Sequence, residues 1–307
     1  MFKEVCLVLC SQLVGILNFR KMKNIFIYIL IVLGISACTP DPIPLKVPQA
    51  DQKVVVFSQI IPNRVMIVSL TRSFSALDYK AEDGDTISQS FLNNLVVDDA
   101  VVTVSYGSKT DTLFSTGLGI YFSINTLQTI GNTYHLNVKT KQGESVQSTT
   151  QILEKIQFDT VRPILHRSPF DTLVTVRFSF KDLPGKNYYM INYYSKGSGG
   201  GLDFNNFFQN GTNILSRTDL ISDLEMENGN YAKTVELNGI KGTDSLAVSL
   251  SNISQEYYQY LSQRKQSGKL LQQIFNEPIN YRSNIINGYG FFNAYYPDLY
   301  LFDLKKY

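Results

Sequence analysis

The chain has 307 residues, with 28 Lys and Arg against 26 Asp and Glu, three Cys, two His and no Trp. A hydrophobic fraction of 44% beside 18% charged residues is a globular balance, which excludes a largely disordered chain. At roughly 150 residues per domain the length suggests two domains, and 19 Tyr with 19 Phe lean toward β structure.

The formal charge of +2 is unevenly spread. Residues 1–37 hold Lys3, Arg20, Lys21 and Lys23 against Glu4 alone. The remainder keeps 24 of the 28 basic and 25 of the 26 acidic side chains, a net −1. No basic stripe is left to neutralise a phosphate backbone, so no nucleic-acid partner is expected.

From Met22 the chain reads Lys23-Asn24, an apolar run from Ile25 to Ile35, then Ser36-Ala37-Cys38. A cationic start, a short apolar core and small residues at the exit describe a secretory signal over 1–37, with Met22 the expected true start. The apolar run falls short of the roughly 20 residues a membrane-spanning helix needs. Cys38, directly after Ile35-Ser36-Ala37, resembles the lipobox cysteine of bacterial lipoproteins. That resemblance implies a diacylglyceryl group on Cys38, cleavage before it, and acylation of the new N-terminus with a palmitate-type chain. Several acyl chains give stable membrane attachment. Cys6 and Cys10 then leave with the signal, so thiol catalysis, disulfides and Cys-bound metals are not expected of the mature chain.

Residues 38–50 hold Pro40, Pro42, Pro44 and Pro48 and read as an extended, semi-rigid tether. From Lys53 the pattern becomes β-like. Val54 to Phe57 and Val65 to Leu70 are expected strands around a Pro62-Asn63 turn. Further strands are expected at Ala100 to Tyr106, Asp111 to Phe114, Gly119 to Phe122 and Thr133 to Val138. Tyr134, Leu136 and Val138 share one face of the last. After a break near 150–160, strands resume at Leu173 to Phe180, Tyr188 to Tyr194 and Asp244 to Leu250. One helix is expected near 254–265, with Asn252 or Ser254 as its cap. Phe291-Phe292 and Leu299 to Phe302 read as terminal strands. The expected fold is mainly β. It comprises two antiparallel β-sandwich domains (immunoglobulin- or prealbumin-like) at 51–152 and 153–307, the second with the added helix.

Residues for catalysis do not assemble in the text. His135 and His166 have no His or Cys companions, so no metal site of the usual three-ligand kind is expected. Glu82-Asp83-Gly84-Asp85 lacks the later acidic ligand of a calcium loop and reads as a solvated turn. Lys196 to Gly201 lacks the Gly-Lys-Ser/Thr ending of a phosphate loop. No catalytic residue, cofactor or metal ligand is therefore assigned. The adjacent tyrosine pairs are the remaining feature. Strand alternation sends one ring of each pair outward, and Tyr189, Tyr194 and Tyr296 are the candidate binding surface.

Near the C-terminus, Pro278 to Ile285, Asn287-Gly288, Gly290-Phe291-Phe292 and Ala294-Tyr295 resemble the closing motif of a Bacteroidota lipoprotein family, domain of unknown function 4249. Val54-Val55-Val56, Ala100 to Val104, Gly119-Ile120-Tyr121, Gly131 with Tyr134, and Asn187-Tyr188-Tyr189 extend the likeness over about 38–303. Phe57-Ser58 departs from the Glu-Gly turn expected there. The resemblance implies an outer-membrane lipoprotein, often encoded beside TonB-dependent transporters, with no assigned reaction. The expected role is a non-catalytic accessory or binding partner of such a transport system. The alternatives are a structural or adhesive surface lipoprotein and, third, a carboxylate-dependent hydrolase.

Overall fold

A computed structural model describes residues 51–60, 65–74, 93–168, 172–197, 214–267 and 281–307. The signal segment, Cys38, the 38–50 tether, Pro62-Asn63, Glu82 to Asp85, most of the 196–201 loop and Pro278 to Asn280 lie outside the described residues. In chain order the strands are β1 (Val54–Ile60), β2 (Met66–Arg72), β3 (Val101–Tyr106), β4 (Lys109–Thr112), β5 (Phe114–Ser115), β6 (Ile120–Ser123), β7 (Thr133–Lys139) and β8 (Ser145–Gln151). There follow β9 (Phe158–Arg167), β10 (Thr172–Lys181), β11 (Tyr188–Lys196), β12 (Ile214–Ser222), β13 (Asn230–Leu237) and β14 (Ser245–Ile253). Helix α1 (Gln255–Ser267) precedes β15 (Ile285–Ile286), β16 (Tyr289–Ala294) and β17 (Asp298–Asp303). The protein is mainly β, built from largely antiparallel sheets packed as sandwiches.

Two five-stranded sheets, β16-β1-β2-β6-β5 and β15-β8-β7-β3-β4, enclose the first core. Alternation selects what enters it. In β7, Tyr134, Leu136 and Val138 are buried while Thr133, His135 and Lys139 face solvent. Buried tyrosines also hold irregular backbone here. The Tyr121 hydroxyl donates to Val97 O (2.8 Å) and accepts from Ala100 N (3.0 Å). Tyr134 does the same between Leu127 O and Thr129 N, both at 2.8 Å.

The strand that closes the first sheet comes from the far end of the chain. β16 runs parallel to β1, with Phe57 beside Phe291, and β15 pairs with β8. The C-terminal segment thus crosses back over the 152/153 boundary expected from the sequence. Its glycines explain how it fits. A Cβ on Gly290 would lie 1.8 Å from Val56 O, and its φ of +103° is one that L side chains rarely adopt. Gly288 would meet Val54 O at 2.6 Å. Asn284 then completes the seam, its side chain donating to Phe292 O (2.7 Å) and accepting from Phe292 N (2.9 Å).

The second core lies between β13-β10-β9 and β12-β11-β14-β17. Pro163, which has no N–H to give a ladder, sits on β9 at the sheet edge. β14 is buried at every position because both its faces are covered. One face belongs to the second core, and the other meets α1 in a third cluster of Met190, Ile253, Tyr257, Tyr260, Phe291 and Tyr295. Ser254, one of the two expected caps, accepts from Tyr257 N at its hydroxyl (3.2 Å) and starts the helix. Among the described residues no helix is long and apolar enough to cross a membrane. Both sheet pairs and α1 belong to one unit, Ala50–Tyr307.

Candidate functional site

The three tyrosines singled out from the sequence do not form one surface. Tyr189 is 0% exposed and faces the second core, which corrects its outward assignment. Tyr189, Ile191 and Tyr193 share the inward phase of β11, so Tyr188 is the outward member of the first pair. Tyr189 and Tyr194 differ by five positions, an odd number, and a regular strand cannot present both on one face. The Tyr189 hydroxyl donates to Asp182 Oδ1 (2.5 Å) and accepts from Leu183 N (2.9 Å), which fixes the turn before the strand. Burial, followed by the Asp182 hydrogen bond, pushes its phenol up.

Tyr194 is half-buried, and desolvation raises its phenol. Tyr194 shares the outward phase of β11 with Tyr188 and Met190, which pack in the cluster with α1, and so lies on the helix side of the sheet. Tyr296 is half-buried against the first core, with Lys155 Nζ 5.3 Å from its ring centre. Lys155 also pairs with Asp298 (3.2 Å), whose other oxygen accepts from Phe158 N (3.0 Å). That cluster ties the second sandwich to the chain end and is structural.

What the structure does assemble is a cleft of about 740 Å³. One wall is the end of β8, Thr149 to Gln151, running into Leu153 and Glu154. The opposite wall is the turn Leu183 to Asn187 with Tyr188, and the floor runs from Asn252 to Glu256 and on to Asn284 and Phe291. Each part is held in place. Asn187 N donates to both Asp223 carboxylate oxygens (2.9 and 2.8 Å), and its side chain closes on Leu183 O (2.7 Å). Tyr188 packs on Tyr258 of α1 with ring centres 4.8 Å apart, and Lys186 Nζ lies 5.8 Å from the Tyr188 ring centre. Asn252 is 5% exposed; its amide donates to Glu154 O (3.3 Å), while its Oδ1 has no protein partner. A second hollow of about 360 Å³ shares Glu256 and Phe291 with the first and continues to Tyr281, Arg282 and Tyr289.

The lining combines hydroxyls, amides, aromatic edges and charges of both signs. Such a lining offers donors, acceptors and aromatic surface suited to a polar organic ligand. His135 Nδ1 lies 2.9 Å from Thr149 Oγ1, as directly opposed residues of β7 and β8 on an exposed face. His166 is exposed on β9. Among the described residues no group of three or more His, Cys, Asp or Glu is placed to hold a metal ion. Sequence reading missed Lys186, Asn252 and Glu256 as cleft residues. Their only signal was proximity to Tyr188 and to the helix start, since the cleft joins segments more than a hundred positions apart.

Fold and cleft together define a β-sandwich protein with a ligand-sized depression bordered by both sheet pairs. The family model described as "Domain of unknown function (DUF4249)" matches residues 40–298, and the chain belongs to that family. No curated protein matches it. Among solved structures, trypsin-activated alpha-2-macroglobulin from Escherichia coli is similar at 11% identity, covering 68% of this chain and 16% of that one, with a TM-score of 0.21. The native E. coli protein gives 11%, 68%, 14% and 0.20. The methylamine-reacted Salmonella protein gives 13%, 67%, 14% and 0.19. The chain spans less than a fifth of each of these proteins, and likenesses this slight carry no functional conclusion.

Proposed function

We propose that the chain is a lipid-anchored, non-catalytic binding protein of a Bacteroidota outer membrane, accessory to a TonB-dependent transporter. The cleft carries this reading. Its volume falls in the range of small-ligand sites, roughly 300–1,000 Å³, and its walls are fixed by side-chain hydrogen bonds to backbone. Such a site retains a ligand near the membrane for transfer to a partner. The lipobox-like Ile35-Ser36-Ala37-Cys38 supports anchoring, and the family resemblance supports the transporter as that partner.

Pull-down of the acylated protein from native membranes in mild detergent tests the partnership. Co-recovery of a TonB-dependent transporter is expected, and recovery without one from well-expressed material overturns it. Cys38→Ala is expected to release the exported protein from the membrane fraction. Retention of a processed Cys38→Ala protein defeats the lipid-anchor reading.

A further inference from the structure

We propose that the outer face of β9 and β10 carries a site for a phosphomonoester group, gripped by the guanidinium groups of Arg162 and Arg177. Val161 and Leu165 of β9 and Val174, Val176 and Phe178 of β10 pack on the second core. The residues between them therefore leave the sheet on its other side. There Arg162 lies directly opposite Arg177, and Thr160 directly opposite Ser179. Both arginines are exposed. On the far side of Arg177 its partner in β13 is Thr234.

The pairing is unusual in its charge. Directly opposed residues of antiparallel strands have Cβ atoms about 5 Å apart, and like charges set there repel. Among the described residues, neither Arg162 nor Arg177 takes part in an ion pair or a side-chain hydrogen bond. Glu236, across from Thr175 on β13, stands only diagonal to Arg177 and pairs with neither arginine. Solvent-facing positions place no packing demand for two arginines side by side. A local rule broken without compensation from the fold marks a functional position.

Donor geometry selects the ligand. A guanidinium presents its N–H groups as a planar fork that matches two oxygens of a phosphate. Two forks side by side share one group with three acceptor oxygens and nearly two negative charges. A carboxylate, with two oxygens and one charge, saturates a single fork. Thr160 and Ser179 lie about 7 Å further along the strands, with their hydroxyl oxygens 2.8 Å apart. One hydroxyl of such a pair donates to the other, which leaves one O–H to donate to the ligand. Lys181, next on the same face of β10, adds a further positive charge. The site stands apart from the cleft and does not depend on the lipid-anchor reading. Exposure leaves it open to screening, so its affinity falls as salt rises.

Titration of the purified full chain with inorganic phosphate at constant low ionic strength, read by phosphorus NMR line broadening, tests this. Saturable binding is expected, and Arg162→Gln and Arg177→Gln are each expected to weaken it about tenfold or more. Arg177→Lys keeps the charge, loses the fork and is expected to fall between wild type and Arg177→Gln. Lys139→Gln, which removes an exposed positive charge from β7, is expected to change the affinity by no more than about twofold. Flotation with phosphatidylcholine vesicles, with and without phosphatidic acid, separates the sources of the group. An Arg177-dependent gain on the phosphatidic acid vesicles assigns the site to a lipid headgroup. Arg177-dependent phosphate binding without that gain assigns it to a soluble phosphomonoester. Absence of phosphate binding by the wild type, binding unaltered in both Gln variants, or an equal loss in Lys139→Gln overturns the proposal.

Discussion

Phe57 and Phe291 are opposite partners on adjacent strands of one sheet, and their surroundings differ sharply. Phe291 is 2% exposed under Tyr257 and Tyr260 of α1, whereas Phe57 is 46% exposed. The helix packs on Phe291 of β16 and on the outer sides of β11 and β12, reaching Ile253 at the end of β14. An apolar outward residue thus says that a strand has two apolar faces. Whether the second is closed by the same chain depends on where a distant helix lands.

Three substitutions probe that contrast, and a fourth tests the turn that Tyr189 holds. Gly290→Ala has the largest expected effect, since its Cβ meets Val56 O and its φ is positive. Loss of about 4 kcal/mol or more is expected in urea unfolding, because the covered end of the sheet opens. A near-neutral result contradicts the tight β1–β16 approach. Tyr260→Ala, which removes the helix lid from Phe291, is expected to cost about 3 kcal/mol. Phe57→Ala on the bare half should change monomer stability by no more than about 0.5 kcal/mol. Equal losses at the two sites erase the distinction between the halves. Tyr189→Phe should cost about 1–2 kcal/mol by leaving Leu183 N without its acceptor, as read by thermal unfolding.

A further effect concerns pH. Hydrogen bonds from Arg72 to Glu144, at 3.1 and 2.8 Å, hold that carboxyl below its ordinary value. Its contribution is complete above the ordinary value of 4.5 and is lost as pH falls through the lowered one. Glu144→Gln should therefore cost about 0–1 kcal/mol at neutral pH and nothing in strong acid. A difference that grows as pH falls contradicts the sign.

Much of the fold was legible because alternation is strong in β3, β7 and β10. β8 (SVQSTTQ) and β13 (NYAKTVEL) were not, since polar residues fill most of their positions. The parallel β1–β16 ladder was hidden because its partners lie more than 200 positions apart. The tyrosine content acquires a structural reason. Tyr121, Tyr134 and Tyr189 fill cores with their rings and hold loop backbone with their hydroxyls. The cleft was the least legible feature, because Lys186, Asn252 and Asn284 have no spacing that announces their meeting.

Radical footprinting of aromatic side chains, on purified dilute protein and on native membranes, tests the contrast between the two halves most directly. Phe57 and Phe114 are expected to label strongly in dilute protein, while Phe291 stays unlabelled in both conditions. Labelling of Phe291 as strong as that of Phe57 contradicts the account of one covered and one bare half.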